Sequence, residues 1–203
     1  MSQFYRNDLE QAEQIARGDS QATEAFISQH YSSVFRFLKN LTRQREDAED
    51  LTQLAFIKTK QNIKSYKGKG SLKTWLYRIA IHEYTHWKRK QKPSELLRHD
   101  LVDPNDRFLQ SLEADALLLG LEQIPNRLRV AFLLYEVQEL SVPEIASILG
   151  VPEGTVKSRL FHARKQLGHL LEGRADSREN EGPNREGQDT NEKKREPLYE
   201  SSN

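Results

Sequence analysis

The chain has no cysteine among its 203 residues. That excludes disulfides and thiolate metal sites, and it suits a reducing compartment. Long apolar runs are missing as well. The longest, such as VAFLLY at 130–135, fall far short of the roughly 20 residues that span a bilayer. The start, MSQFYRNDLEQ, has no basic stretch followed by an apolar one, so no secretory signal is expected. Strand-like alternation and internal repeats are also lacking. The expectation is a soluble, cytoplasmic, all-helical protein without membrane insertion.

What is present is helical periodicity. In AFISQHYSSVFRFLKNL, Phe26, Tyr31, Val34, Phe35, Leu38 and Leu41 recur at three- and four-residue spacing on one broad face. DAEDLTQLAFIKTKQNI continues the pattern through Leu51, Leu54, Ala55 and Ile63, with acids in the first turn, where the helix dipole favours them. SLKTWLYRIAIHEYTHWKRK follows, capped by Ser71. Between these two helices lies SYKGKG, whose glycines allow unusual backbone angles.

Pro93 stops this group, and residues 93–107 read as a polar, proline-punctuated linker. A second helical group runs to about Leu171. Beyond it the chain is rich in Glu, Asn, Arg, Gly and Ser, too poor in apolar groups to offset the entropy of ordering. The fold class expected is all-α: two small helical domains, 1–92 and 108–172, joined by a flexible linker at 93–107, with a disordered C-terminal tail at 173–203.

The formal net charge of +1 hides a local imbalance. Between Lys58 and Lys92 the cations include Lys64, Lys67, Lys69, Lys73, Arg78, Lys88, Arg89 and Lys90, and the one acid is Glu83. REDAED at 45–50 is mostly acidic. Segregated charge of this kind speaks of partners.

The most specific stretch is LSVPEIASILGVPEGTVKSRLFHARKQL. Ser141 and Glu144 have the spacing of a capping box. Gly150 stands where a helix ends in a positive φ. A second helix starts near Glu153 and buries Val156, Leu160, Ala163 and Leu167. This is the spacing of a helix-turn-helix, whose second helix lies in the major groove. Its remaining positions, Glu153, Thr155, Lys157, Ser158, Arg159, His162, Arg164 and Lys165, have the side-chain types that read base edges or clamp phosphates. The bland counterpart is a helical hairpin with a solvated cationic face; cap, turn and basic face together favour DNA.

In the first group, Tyr66, Trp75, Tyr77, Tyr84 and Trp87 are interleaved with the cations. Rings stack on unpaired bases, worth about 1–3 kcal/mol per base, while cations follow the backbone. Trp75, Leu76, Ile79 and Ala80 look like a buried stripe, whereas Tyr66 in the glycine loop is the better stacking candidate.

His82-Glu83-Tyr84-Thr85-His86 also fits the zinc-hydrolase pattern H-E-x-x-H. Such a site needs a third protein ligand. Trp87, Lys88, Arg89 and Lys90 come next, with cations that would repel a metal. The other histidines have no ligand-like spacing to this pair. His82 and His86 are read instead as groups on a DNA-facing helix, with no catalytic residue, metal or cofactor.

DAEDLTQLAF, SYKGKGSLKTWLYRIA and EIASILGVPEGTVKSRLFHARKQL, in that order along residues 10–171, resemble bacterial RNA polymerase sigma factors of the extracytoplasmic-function (ECF) group of the sigma-70 family. The resemblance implies a first domain that binds polymerase and melts the downstream promoter element, and a second that binds the upstream element. Asp47, Asp50, Leu51 and Gln53 would then grip the clamp helices of the polymerase largest subunit. Residues 64–71 would capture a flipped base, and residues 78–90, with His82, Glu83, His86, Lys88, Arg89 and Lys90, would read the downstream element. The partners implied are core RNA polymerase, promoter DNA both duplex and melted, and an anti-sigma factor. The sequence departs from the family at Leu54, where Glu is usual, at His82 and His86, more often Asn and Asp, and at Glu139, often Gly. The rival reading is a stand-alone helix-turn-helix regulator, which leaves the basic-aromatic segment without a task.

Overall fold

A computed structural model of the protein describes residues 3–91 and 112–180, with side chains described over 7–91 and 117–171. The expected linker at 93–107 and the end of the chain from 181 lie outside the described residues. Among the described residues eight α-helices succeed one another: α1 (Gln3–Ala16), α2 (Ser20–Thr42), α3 (Arg45–Asn62), α4 (Leu72–Lys90), α5 (Leu112–Gln123), α6 (Asn126–Phe132), α7 (Val142–Leu149) and α8 (Glu153–Asn180). No strand is found among the described residues.

Local chemistry sets the helix ends. Asp19 caps α2 by accepting the Ala22 N–H at 3.0 Å. Arg43 ends that helix in the left-handed region, φ 66°. Ser71 caps α4 through the Thr74 N–H at 3.0 Å, and Asp8 of α1 accepts the next orphan donor, Leu72 N–H, at 2.9 Å. The capping box of α7 forms as expected: the Ser141 N–H and hydroxyl donate to Glu144 Oε2 at 2.9 and 2.7 Å. Gly150 closes that helix at φ 65°.

Buried apolar stripes join these helices. Val34, Phe37 and Leu38 of α2 meet Ala48 and Ala55 of α3 and Leu76, Tyr77 and Ala80 of α4, all fully buried. In the second half Ala131, Leu133, Leu134, Ile145, Val156 and Ala163 are buried as completely. Each large aliphatic side chain sequestered this way contributes about 1.5–3 kcal/mol.

The halves do not stand apart. Their buried residues form one connected cluster, in which α4 lies against α7. A π-helical turn, Leu133–Val137, follows α6. It carries the chain past the usual helical register to Gln138, 5 % exposed, and to Glu139 at φ 55°. A glutamate therefore holds the left-handed backbone for which glycine is the usual residue.

The tail expectation needs one correction. Helix α8 runs on to Asn180 rather than ending at 172. An established helix adds residues without repeating the unfavourable nucleation step, so a polar stretch can extend it.

Candidate nucleic-acid interface

Helix α8 turns Val156, Leu160, Ala163 and Leu167 into the core, as its spacing predicts. Glu153, Lys157, Ser158, His162, Arg164 and Lys165 are exposed, and Thr155 and Arg159 are half-buried. Arg164 is partly committed to its own chain. Its Nε and Nη2 donate to Glu136 Oε1 at 3.0 and 2.7 Å, its guanidinium lies 5.2 Å from the Tyr135 ring, and the Glu136 bond holds its pKa up. An open groove of about 610 Å³ runs beside the helix, lined by Arg127, Thr155, Ser158, Arg159 and His162. The channel is concave, carries the two cations Arg127 and Arg159, and lies next to the exposed side of the helix.

Helix α4 is arranged differently. His82, His86, Arg89 and Lys90 are exposed towards its C-terminal end. Glu83, expected among the DNA-facing residues, is 4 % exposed and belongs to the interior. Its carboxylate accepts Lys58 Nζ at 2.7 Å and lies 3.0 Å from His82 Nδ1. Burial alone would raise its pKa, but the bonds from Lys58 and His82 outweigh it and hold the carboxyl below its ordinary range. The residue that a zinc hydrolase would use as a base is thus an ion-pair anchor between α3 and α4.

Tyr66 is corrected likewise. At 8 % exposure it cannot offer a stacking face; its hydroxyl donates to Gly70 O at 2.7 Å and its ring lies 5.7 Å from that of Trp75. Gly68 holds a left-handed φ of 67° that strains any side chain, and a Cβ there would press on the end of the Leu9 side chain at 3.0 Å. The glycine loop is therefore packed down on α1, and it presents Lys67 and Lys69 rather than a ring.

Two more cations of α4 point to the second half. Lys73 Nζ donates to Gln138 O at 2.9 Å, and Arg78 Nη2 to Ser147 Oγ at 2.6 Å. Lys88 is half-buried with Nζ 3.3 Å from Tyr84 OH, which donates to Asn126 Oδ1 at 2.6 Å. Arg43 pairs with Glu122 at 2.5 Å, and the buried Arg129 donates to Glu122 O at 2.9 Å. Burial and mutual repulsion depress the pKa of Arg43, to about 10, and that of Lys88; burial depresses Arg129. Burial also pushes Tyr77 and Tyr84 up to about 12.

The acidic face of α3 divides in the same way. Asp50 and Gln53 are exposed, but Leu51 is 5 % exposed and faces the core, so it cannot join a docking surface on this fold. Asp47 accepts the Trp87 indole N–H at 3.1 Å, bracing α3 against α4. The outward stripe beside Asp50 and Gln53 is completed by Leu54, 36 % exposed, and Ile57, 52 % exposed.

Comparison with known proteins accounts for this arrangement. Residues 26–93 match the family described as Sigma-70 region 2, and residues 114–167 match Sigma-70, region 4. The ECF RNA polymerase sigma-E factor of Haemophilus influenzae is 30 % identical over 176 residues, which is 79 % of this chain and 93 % of that protein. The chain belongs to the ECF group of the sigma-70 family. The RNA polymerase sigma factor YlaC of Bacillus subtilis is 31 % identical over 71 % of this chain and 88 % of its own length. Among solved structures, the sigma factor RpoE in complex with the anti-sigma factor NepR, from Bartonella quintana, superposes with a TM-score of 0.65 at 25 % identity, over 73 % of this chain and 96 % of that one. CnrH in complex with the cytosolic domain of CnrY shares the fold at a TM-score of 0.65, with 20 % identity over 82 % and 97 % of the two chains. As an ECF sigma factor the protein binds core RNA polymerase and promoter DNA and directs promoter-specific initiation. None of its described helices is long and apolar enough to cross a membrane.

Two residues of this sigma factor escaped the sequence reading. Phe161 is 63 % exposed, on the same outward stripe of α8 as Ser158 and Lys165. Gly154 lies two turns earlier, where an added Cβ would meet nothing within 4 Å. A helical glycine costs about 1 kcal/mol relative to alanine, and no internal contact asks for it. The signal was available: once Val156, Leu160, Ala163 and Leu167 define the buried stripe, the 100° step per residue puts 154, 158, 161 and 165 opposite it.

Proposed function

We propose that residues 3–91 and 112–171 work as separate promoter-binding domains of this sigma factor. Helix α8 enters the major groove of the upstream element. Lys157, Ser158, Arg159, His162 and Lys165 supply polar contacts, and Phe161 supplies an apolar surface suited to a thymine methyl. Gly154 lets the duplex come close to the backbone. The outer end of α4, with His82, His86, Lys88, Arg89 and Lys90, and the loop lysines Lys67 and Lys69 hold the melted downstream strand by charge. Asp50, Gln53, Leu54 and Ile57 form the polymerase-docking stripe. Here the leucine in place of the family's usual glutamate makes the contact apolar rather than ionic.

The observation that carries this reading is the outward face of α8: a basic stripe with an exposed ring, on a helix fixed by a capped α7 and a left-handed Gly150. The protein acts without chemistry or a cofactor of its own, in the cytoplasm, and is held inactive by an anti-sigma factor, as the NepR complex of its relative suggests. Run-off transcription with purified core polymerase tests it. Initiation at defined promoters that appears only when this protein is added supports the reading. Tight, polymerase-independent footprints on a palindromic duplex, with no stimulated initiation, would favour the stand-alone regulator.

A further inference from the structure

The outer side of α3 continues into a cleft that promoter binding leaves unused. Ile15 of α1, Phe26 and Ile27 of α2, and Phe56 and Ile57 of α3 line a volume of about 160 Å³, together with Lys60. Ile15, Phe26 and Phe56 are buried, whereas Ile27 and Ile57 are exposed, so the cleft has an apolar floor and an apolar lip open to solvent. Ile57 also belongs to the stripe of Asp50, Gln53 and Leu54, which makes cleft and stripe one continuous surface. Along α3 this surface has a fixed order: the exposed acids Glu46 and Asp50, then Leu54 and Ile57, then the exposed Lys60. Apolar groups left uncovered and rimmed by charge mark a contact site.

The same chain holds a segment with the opposite order. From residue 172 onwards, bulky apolar side chains occur at Leu198 and Tyr199 alone. They follow the basic run Lys193-Lys194-Arg195, across Glu196 and Pro197, and they precede Glu200. Basic, apolar, acidic thus meets acidic, apolar, basic. The spacing agrees as well. From Asp50 to Ile57 the helix rises about 10 Å, and from Arg195 to Leu198 an extended chain covers about 10 Å. Pro197 favours that extension, because it disfavours helical angles at the residue before it. Length is sufficient too. Residues 181–198 can stretch to about 60 Å, more than the roughly 45 Å across a compact chain of this size.

We propose that residues 193–200 dock on α3 in the free protein, with Leu198 and Tyr199 in the α1–α2–α3 cleft and the basic run over Glu46 and Asp50. The consequence rests on the polymerase-docking reading of α3: the covered surface is the one assigned to core polymerase, so segment and polymerase compete for it. The docking itself does not depend on that reading. A tether on the same chain keeps the segment at an effective concentration on the order of millimolar, so a weak contact is enough to hold it. Two side chains and a few solvated charges are also weak enough for a larger partner surface to displace. The outward face of α8 takes no part, which leaves duplex binding indifferent to the segment.

The absence of cysteine provides the test. Gln61→Cys with Ser201→Cys gives one reactive pair for a short bis-maleimide, Gln61 being exposed one turn beyond Ile57. The internal cross-link should form roughly tenfold faster than with Gln166→Cys and Ser201→Cys. Gln166 is an exposed α8 site that lies nearer to the segment along the chain. Adding Leu198→Ala and Tyr199→Ala should remove the difference. In the cysteine-free chain the same two alanines should tighten binding to core polymerase roughly fivefold, the factor for releasing a form closed about 80 % of the time. Duplex affinity should stay unchanged. Equal cross-linking at 61 and 166, or a preference for 61 that survives the alanines, overturns the docking. Cross-linked dimers in place of the internal product give the cleft to a second copy and overturn it as well. If the internal cross-link forms as expected while polymerase affinity does not move, the polymerase reading of α3 and the competition fail together and the docking stands.

Discussion

Helix α8 keeps its chemistry outside: four apolar residues hold it down and nearly every polar one faces solvent. Helix α4 carries the same kinds of side chain but uses many of them inside the molecule, Glu83 on Lys58, Tyr77 on Gln138, Arg78 on Ser147 and Lys73 on a carbonyl. The difference teaches how far a residue's type predicts its work. On a helix packed along one stripe, whatever is off the stripe is available. On a helix packed on both α3 and α7, a basic or aromatic residue is as easily a brace as a ligand contact.

The strongest way to break the comparison is at Tyr66. As a buried brace, Tyr66→Ala should destabilise the fold by about 3–5 kcal/mol, the usual range for removing a buried aromatic, read by urea unfolding. A folded, equally stable variant with impaired strand opening would restore the base-stacking role. Lys58→Met comes next. It leaves Glu83 buried without its main partner, at a cost of about 3 kcal/mol.

The acid limb of the stability curve sharpens the same point. The Glu83 carboxyl is held below its ordinary value in the fold. Its contribution is therefore present above the unfolded pKa and disappears as pH falls through the lower, folded one. Lys58→Met should flatten that limb; an unchanged curve in acid denaturation would show that the pair does not govern it.

On the α8 side the expected effects are in binding. Phe161→Ala should weaken duplex recognition by about 1–3 kcal/mol at one base pair, with little change in unfolding. Replacing thymine with uracil at that step should lower affinity for the native chain and not for the variant; equal losses in both would remove Phe161 as a methyl reader. The smallest effect belongs to Glu139→Gly. Relief of a left-handed glutamate, worth about 1–2 kcal/mol, is largely offset by the roughly 0.5–1 kcal/mol entropy penalty of glycine. The melting temperature should rise by a few degrees at most, and a fall would mean that the Glu139 side chain contributes more than its backbone costs.

Much of this was legible in the residues. Three- and four-residue spacing located the helices, Ser71, Ser141 and Gly150 marked their ends, and the α8 stripe named its own buried members. The candidate site was half legible. Lys157, Ser158, His162 and Lys165 could be read correctly as outward because α8 has a single packed side. Tyr66, Glu83 and Leu51 were misread for a common reason: each is of a type found on working surfaces, and its burial depends on partners distant in sequence or on backbone folded over it. Leu9 and Gly70 close the loop around Tyr66, Lys58 draws Glu83 inward, and the α3 core takes Leu51.

Sequence alone determined the helical class, the helix-turn-helix and the outward face of its second helix, since these depend on periodicity and end caps, which are local properties of the chain. Tertiary structure alone decided which of the cations and rings of α4 meet solvent, and that the two halves close on Gln138 and Glu144. Those outcomes are set by pairings some forty to seventy residues apart, and no local pattern encodes which distant donor a buried acceptor will find.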